Sequence, residues 1–78
     1  MFEGTVTFFD RRGFGFIRPL DGSEDIFFHC SELPGEPGKR FVNPGCYVRY
    51  DLGTRQGKTV AKNVKLLVLE TGADVNGN

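Results

Sequence analysis

The sequence predicts an all-β fold, a five-stranded antiparallel barrel that is closed or nearly so, on three observations. Five short stretches have strand character. Turn-forming residues divide them at hairpin spacing. No segment reads convincingly as a helix that could cover a sheet face, and closure then removes the exposed edges of so small a sheet.

The first strand is expected over Phe2 to Phe9, ending at the tight turn Asp10-Arg11-Arg12-Gly13. The second runs from Gly13 to Arg18 and turns through Leu20-Asp21-Gly22-Ser23, and the third spans Asp25 to His29. Between Ser31 and Pro44 stand Pro34, Gly35, Pro37, Gly38 and Pro44, a composition incompatible with a central strand or a stable helix. The fourth strand is expected over Cys46 to Leu52, followed by a loop at Gly53-Thr54-Arg55-Gln56-Gly57. The fifth covers Thr59 to about Val68. Ala61, Val64, Leu67 and Val68 also fall at helical spacing, but the short loop before them favours antiparallel pairing. Residues 1–70 make one domain, and the polar, glycine-containing stretch 71–78 reads as a flexible tail.

Composition narrows the function. Seventy-eight residues hold one small domain, which buries only about 60% of its unfolded surface and leaves little room for an enclosed active site. Lys+Arg and Asp+Glu each total 10, so global positive charge cannot be what holds a partner. No apolar run approaches the roughly 18 residues of a membrane span, and the N-terminus does not read as a secretory signal. Cys30 and Cys46 are too few for a disulfide framework or a zinc site. No metal or other cofactor is expected, and free thiols fit a cytoplasmic location. Eight Phe in so short a chain are the unusual feature.

Their spacing is informative. Residues two apart in a strand share a face, so Phe14 and Phe16 point one way and Gly15 and Ile17 the other. By the same rule Ile26 and Phe28 oppose Asp25, Phe27 and His29. Turning the second set inward would bury an ionised Asp without a partner, which is costly. Ile17, Ile26 and Phe28 are therefore expected inside, with Phe14, Phe16, Phe27 and His29 side by side outside. Taken singly, each Phe would more often be a core residue; alternation in two strands and the flanking Arg11 and Arg12 favour an open platform. Rings exposed together mark a binding surface. Nucleobases suit it, since aromatic stacking contributes about 1–3 kcal/mol per base with little regard to sequence. Duplexes hide those faces, so single-stranded RNA or DNA is the expected partner. Arg11, Arg12, Arg18, Arg55 and Lys58 are candidates for phosphate contact, Arg12 being best placed beside Phe14.

Gly4-Thr5-Val6-Thr7-Phe8-Phe9-Asp10, Arg12-Gly13-Phe14-Gly15-Phe16-Ile17 and Asp25-Ile26-Phe27-Phe28-His29 with Ser31 together resemble the cold-shock domain family, over about residues 2 to 69. The last two segments match its two ribonucleoprotein motifs. The resemblance implies an OB-fold barrel that binds single-stranded RNA and DNA, with an RNA-chaperone role for free-standing bacterial members. It also implies that Phe8, Arg12, Phe14, Phe16, Asp25, Phe27 and His29 form the base-stacking and hydrogen-bonding surface. Phe41 is the candidate for an aromatic contact from the Pro/Gly loop, burial beneath that loop being the alternative. Phe8 stands where the family usually has Trp, Thr7 and Asp10 where it has Lys and Asn, and Cys30 where a further aromatic is common. Val6 and Phe8 share strand parity, so Val6 inside and Phe8 outside requires a bulge near residue 7.

The RNA-recognition-motif fold shares the first motif in outline but needs two helices that this chain lacks. Catalysis has little support: Asp25 and His29 stand roughly 13 Å apart along a strand, without a nucleophile. A small β-barrel interaction module, using the same aromatic face as a dimer or partner interface, is the rival binding function. The expected state is a monomer that binds pyrimidine-rich single strands and no membrane, with a strand-exchanged dimer through the long loop as the alternative.

Overall fold

Strands β1 (Phe2–Asp10), β2 (Phe14–Pro19), β3 (Ile26–His29), β4 (Tyr47–Arg55) and β5 (Lys58–Leu66) follow one another, with a 3-10 turn, η1 (Cys30–Glu32), directly after β3. The computed structural model describes residues 1–36 and 38–67. Val68 and the tail expected over 71–78 lie outside the described residues.

The strands close into a barrel in the order β1-β2-β3-β5-β4, with β4 returning to β1. Four seams are antiparallel and the fifth, β3 against β5, is parallel. The wholly antiparallel barrel expected from the sequence is thus a mixed one. The reason is topological: strand direction cannot alternate all the way around a ring of five, so one seam must join two strands running the same way. That seam is also the thinnest, with a single ladder pair, Phe27 with Val60.

The interior is filled by Val6, Ile17, Phe28, Val48, Tyr50, Val60, Ala61 and Val64 from the strands, joined by Leu33 and Val42 from the β3–β4 connection. Ile26 packs against this core while partly exposed. Gly15 belongs to the same packing: a Cβ there would lie 2.4 Å from the Phe8 carbonyl oxygen and 2.8 Å from the Phe28 ring.

Two bulges reset strand parity. Val6 pairs with Ile17 but Phe8 pairs with Phe16, leaving Thr7 as the extra residue in β1. Val6 is accordingly buried and Phe8 is 44% exposed, as the sequence required. In β5, Lys62 pairs with Asp51 and Lys65 with Arg49, so two residues oppose Tyr50. Asn63 takes a left-handed backbone (φ 50°) at this point. That bulge puts both Ala61 and Val64 inside, which is the origin of their helix-like spacing.

The β4–β5 hairpin is tighter than the loop expected over residues 53–57. Both strands extend to a two-residue turn, Gln56-Gly57, with φ of 54° and 80°. This is the positive-φ pair that matches strand twist in a hairpin. After η1 the chain carries no further strand or helix among the described residues until β4.

Candidate nucleic-acid interface

The β1 bulge and the β2–β3 pairing bring four phenyl rings onto one outer face. Phe14 lies opposite His29 and Phe16 opposite Phe27 across the β2–β3 ladder, while Phe8 lies opposite Phe16 across β1–β2. The Phe8 centroid is 6.1 Å from that of Phe14 and 6.3 Å from that of Phe16. Phe27 stacks on Phe14 at 6.0 Å and meets Phe16 edge-on at 5.9 Å. Phe14, Phe16, Phe27 and His29 are half-buried, and none of them belongs to the core. Phe8 is exposed and the other three rings stay partly accessible on the same face, an apolar patch a monomer does not ordinarily expose.

The polar groups around the rings are fixed by local bonds. The Asp10 carboxylate accepts from the Arg12 backbone N–H (2.8 Å) and from Arg12 Nε (3.1 Å). These bonds, the side-chain one foremost, hold the Asp10 carboxyl below its ordinary value and push the Arg12 guanidinium above its own. The guanidinium carbon of Arg12 sits 5.4 Å from the Phe14 ring centroid. Asp25 lies just before β3, on the outer face, with Oδ1 accepting from Arg18 Nε and Oδ2 from Thr7 Oγ1, each at 3.2 Å. His29 caps η1: its Nδ1 accepts from the Ser31 N–H at 3.0 Å, so the neutral ring carries its proton on Nε2.

A groove of about 490 Å³ runs along the β3–β5 seam. Phe16, Asp25, Phe27 and His29 form one wall; Arg55 and Lys58 stand on the other. Neither cation has an ion-pair partner among the described residues, whereas Arg12 and Arg18 are tied to Asp10 and Asp25. Of the twelve residues singled out in the sequence, nine thus lie on the ring platform or along this groove, Arg18 adjoins it through Asp25, and Arg11 is exposed in the β1–β2 turn. Phe41 stands apart. It is 59% exposed and meets Phe9 edge-on at 5.5 Å, and Phe9 in turn stacks on Phe28 at 6.0 Å. It is therefore not buried beneath its loop.

Sequence reading missed Gln56 and Thr59, which line the groove because the hairpin is tight enough to bring them there. It also missed the supports behind the site, Thr7 on Asp25 and Ser31 on His29. The Ser31 cap was within reach, as a Ser two residues after a strand-end His is a local pattern. The Thr7 contact was not, since it depends on the bulge. Asp25 and His29 are each bonded to other residues, and among the described residues no three metal-ligating side chains cluster. No helix among those residues is long and apolar enough to cross a membrane.

Comparison with known proteins agrees with this geometry. The family model described as the "'Cold-shock' DNA-binding domain" matches residues 2–67. The cold shock protein CspA of Rhizobium meliloti is 41% identical over 68 residues, covering 83% of this chain and 97% of its own. The cold shock-like protein CspC of Escherichia coli is 38% identical over 63 residues, covering 80% of this chain and 90% of its own. Among solved structures, Drosophila Unr CSD456 superimposes with a TM-score of 0.71 at 23% identity, over 90% of this chain and 28% of that one, a likeness of fold. A motif-bearing sequence, a closed five-stranded barrel and these relatives converge: the chain belongs to the cold-shock domain family, whose members are non-catalytic nucleic-acid-binding modules.

Proposed function

We propose that this protein binds single-stranded RNA and DNA by stacking unpaired bases on Phe8, Phe14, Phe16 and Phe27, with low sequence selectivity. His29 and Asp25 offer one donor and one acceptor at the platform edge, Arg55 and Lys58 meet the phosphates, and Arg12 reaches a phosphate only in competition with Asp10. Phe41, exposed on the long loop and apart from the four rings, offers a separate stacking contact. The observation that carries this reading is the set of four rings, each within about 6 Å of another, on the outside of a barrel whose interior is already filled. In this reading the protein is a cytoplasmic, monomeric RNA chaperone that favours pyrimidine-rich strands. It captures transiently unpaired bases, and its binding free energy shifts the duplex-to-single-strand equilibrium without ATP.

Fluorescence anisotropy with labelled oligothymidine and oligouridine tests the reading. Phe14→Ala and Phe27→Ala are each expected to weaken binding by about 1–3 kcal/mol while the circular dichroism of the fold is retained. Binding unchanged in both variants would refute the stacking role.

A further inference from the structure

We propose that Glu32 is a positioning residue for the groove, latching the one weak seam of the barrel so that its two walls stay at a fixed separation. The inference rests on the nucleic-acid reading of the groove given above.

The two walls belong to different parts of the ring. Phe27 and His29 stand on β3, whereas Arg55 and Lys58 flank the β4–β5 turn. What joins β3 to β5 directly in the backbone ladder is the single pair Phe27 with Val60. Beyond it β3 ends and the chain turns off into η1. Glu32, the last residue of η1, reaches back across the seam. Its Oε1 accepts from the backbone N–H of Asn63 at 2.9 Å, and its Oε2 lies 3.6 Å from Lys62 Nζ. The Asn63 N–H belongs to the bulge residue of β5, with its left-handed backbone. A side-chain carboxylate thus bonds the β5 backbone where the β3 strand has run out.

The other end of η1 is fixed to the platform, because the His29 ring caps it through the Ser31 N–H. Three residues therefore link a platform ring to the β5 anchor. A small cavity at the same place is lined by His29, Glu32, Arg55 and Lys62 among others, so the latch and the groove walls share one neighbourhood. Glu32 is only 23% exposed at its side chain, and its carboxylate is already engaged by Asn63 and Lys62.

Charge and position make opposite forecasts, which makes the idea testable. Removing a carboxylate beside the groove and freeing Lys62 would, by electrostatics alone, tighten binding to a polyanion. Loss of the latch would loosen it. In the full chain, Glu32→Ala is expected to weaken oligothymidine binding by about tenfold, the worth of one hydrogen bond to a charged acceptor. Glu32→Gln keeps an acceptor for the Asn63 N–H while freeing Lys62, and is expected to bind as tightly as wild type or more tightly. Binding by Glu32→Ala equal to or tighter than wild type would overturn the proposal.

A second measurement needs no ligand. Nuclear magnetic resonance of Glu32→Ala, or of Glu32→Asp should the alanine variant unfold, is expected to show faster hydrogen exchange at Asn63 and weakened Phe27–Val60 contacts. Those contacts persisting unchanged would overturn the latch even if wild type bound no oligonucleotide. Failure of the stacking reading, by contrast, shows in wild type and in the Phe14 and Phe27 variants.

Discussion

Asp10 shows how one side chain can limit a binding surface. Its carboxylate takes three bonds from Arg12, the cation that lies over Phe14. Because the Asp10 carboxyl is held below its ordinary value, the pair is fully formed above the usual carboxylate range and breaks only as pH falls through the depressed value. At neutral pH Arg12 therefore reaches a phosphate only in competition with Asp10. Asp10→Asn is expected to tighten binding to oligothymidine and to steepen its salt dependence by about 0.7, the increment for one further phosphate on a single strand. Anisotropy titrations at several salt concentrations measure both. An unchanged slope would mean that Arg12 makes no phosphate contact. The pairing was readable in part, since Asp10 and Arg12 are two apart in a tight turn. That Arg12 lies over the Phe14 ring needed coordinates.

At the scale of elements, the bulges account for most of what the sequence hid. Strand parity correctly divides Phe14 and Phe16 from Ile17, and Phe27 and His29 from Phe28, because β2 and β3 pair without interruption. It fails in β1 and β5, where an extra residue switches the face that later residues occupy. In β1 the parity conflict between Val6 and Phe8 disclosed the bulge in advance. In β5 the same device looked like a helical repeat at Ala61 and Val64. Gly15 is where the β1 and β2 geometries meet, since its missing side chain lets the Phe8 carbonyl and the Phe28 ring close in from either side. Gly15→Ala meets backbone on one side and a core ring on the other. A loss of about 1–3 kcal/mol is expected, the usual range for overpacking, measured as a lower urea midpoint. A midpoint equal to wild type would show that the strands can separate there at no cost.

For the whole molecule, electrostatics and closure set the character of binding. With zero net charge and two of the platform-side arginines paired within the chain, Arg55 and Lys58 are the groove cations left without an ion-pair partner among the described residues. Two phosphate contacts give a salt slope of about 1.4 on single strands, shallow for a nucleic-acid-binding protein. A measured slope several times steeper would make phosphate attraction, and not stacking, the main source of affinity. Closure explains why the stacking surface can be so apolar: Val6, Ile17, Phe28 and their neighbours already fill the interior, so outer rings are not needed to hold the fold.

By itself, the order of residues determined the five strands, the outward-facing rings and the family, because alternation, turn residues and motif spacing are local properties. Tertiary structure alone decided which seam is parallel, how Glu32 reaches Asn63 and how Arg55 and Lys58 come to face the platform across one groove. These depend on residues far apart in the chain meeting around a ring, and no local pattern records where a ring closes.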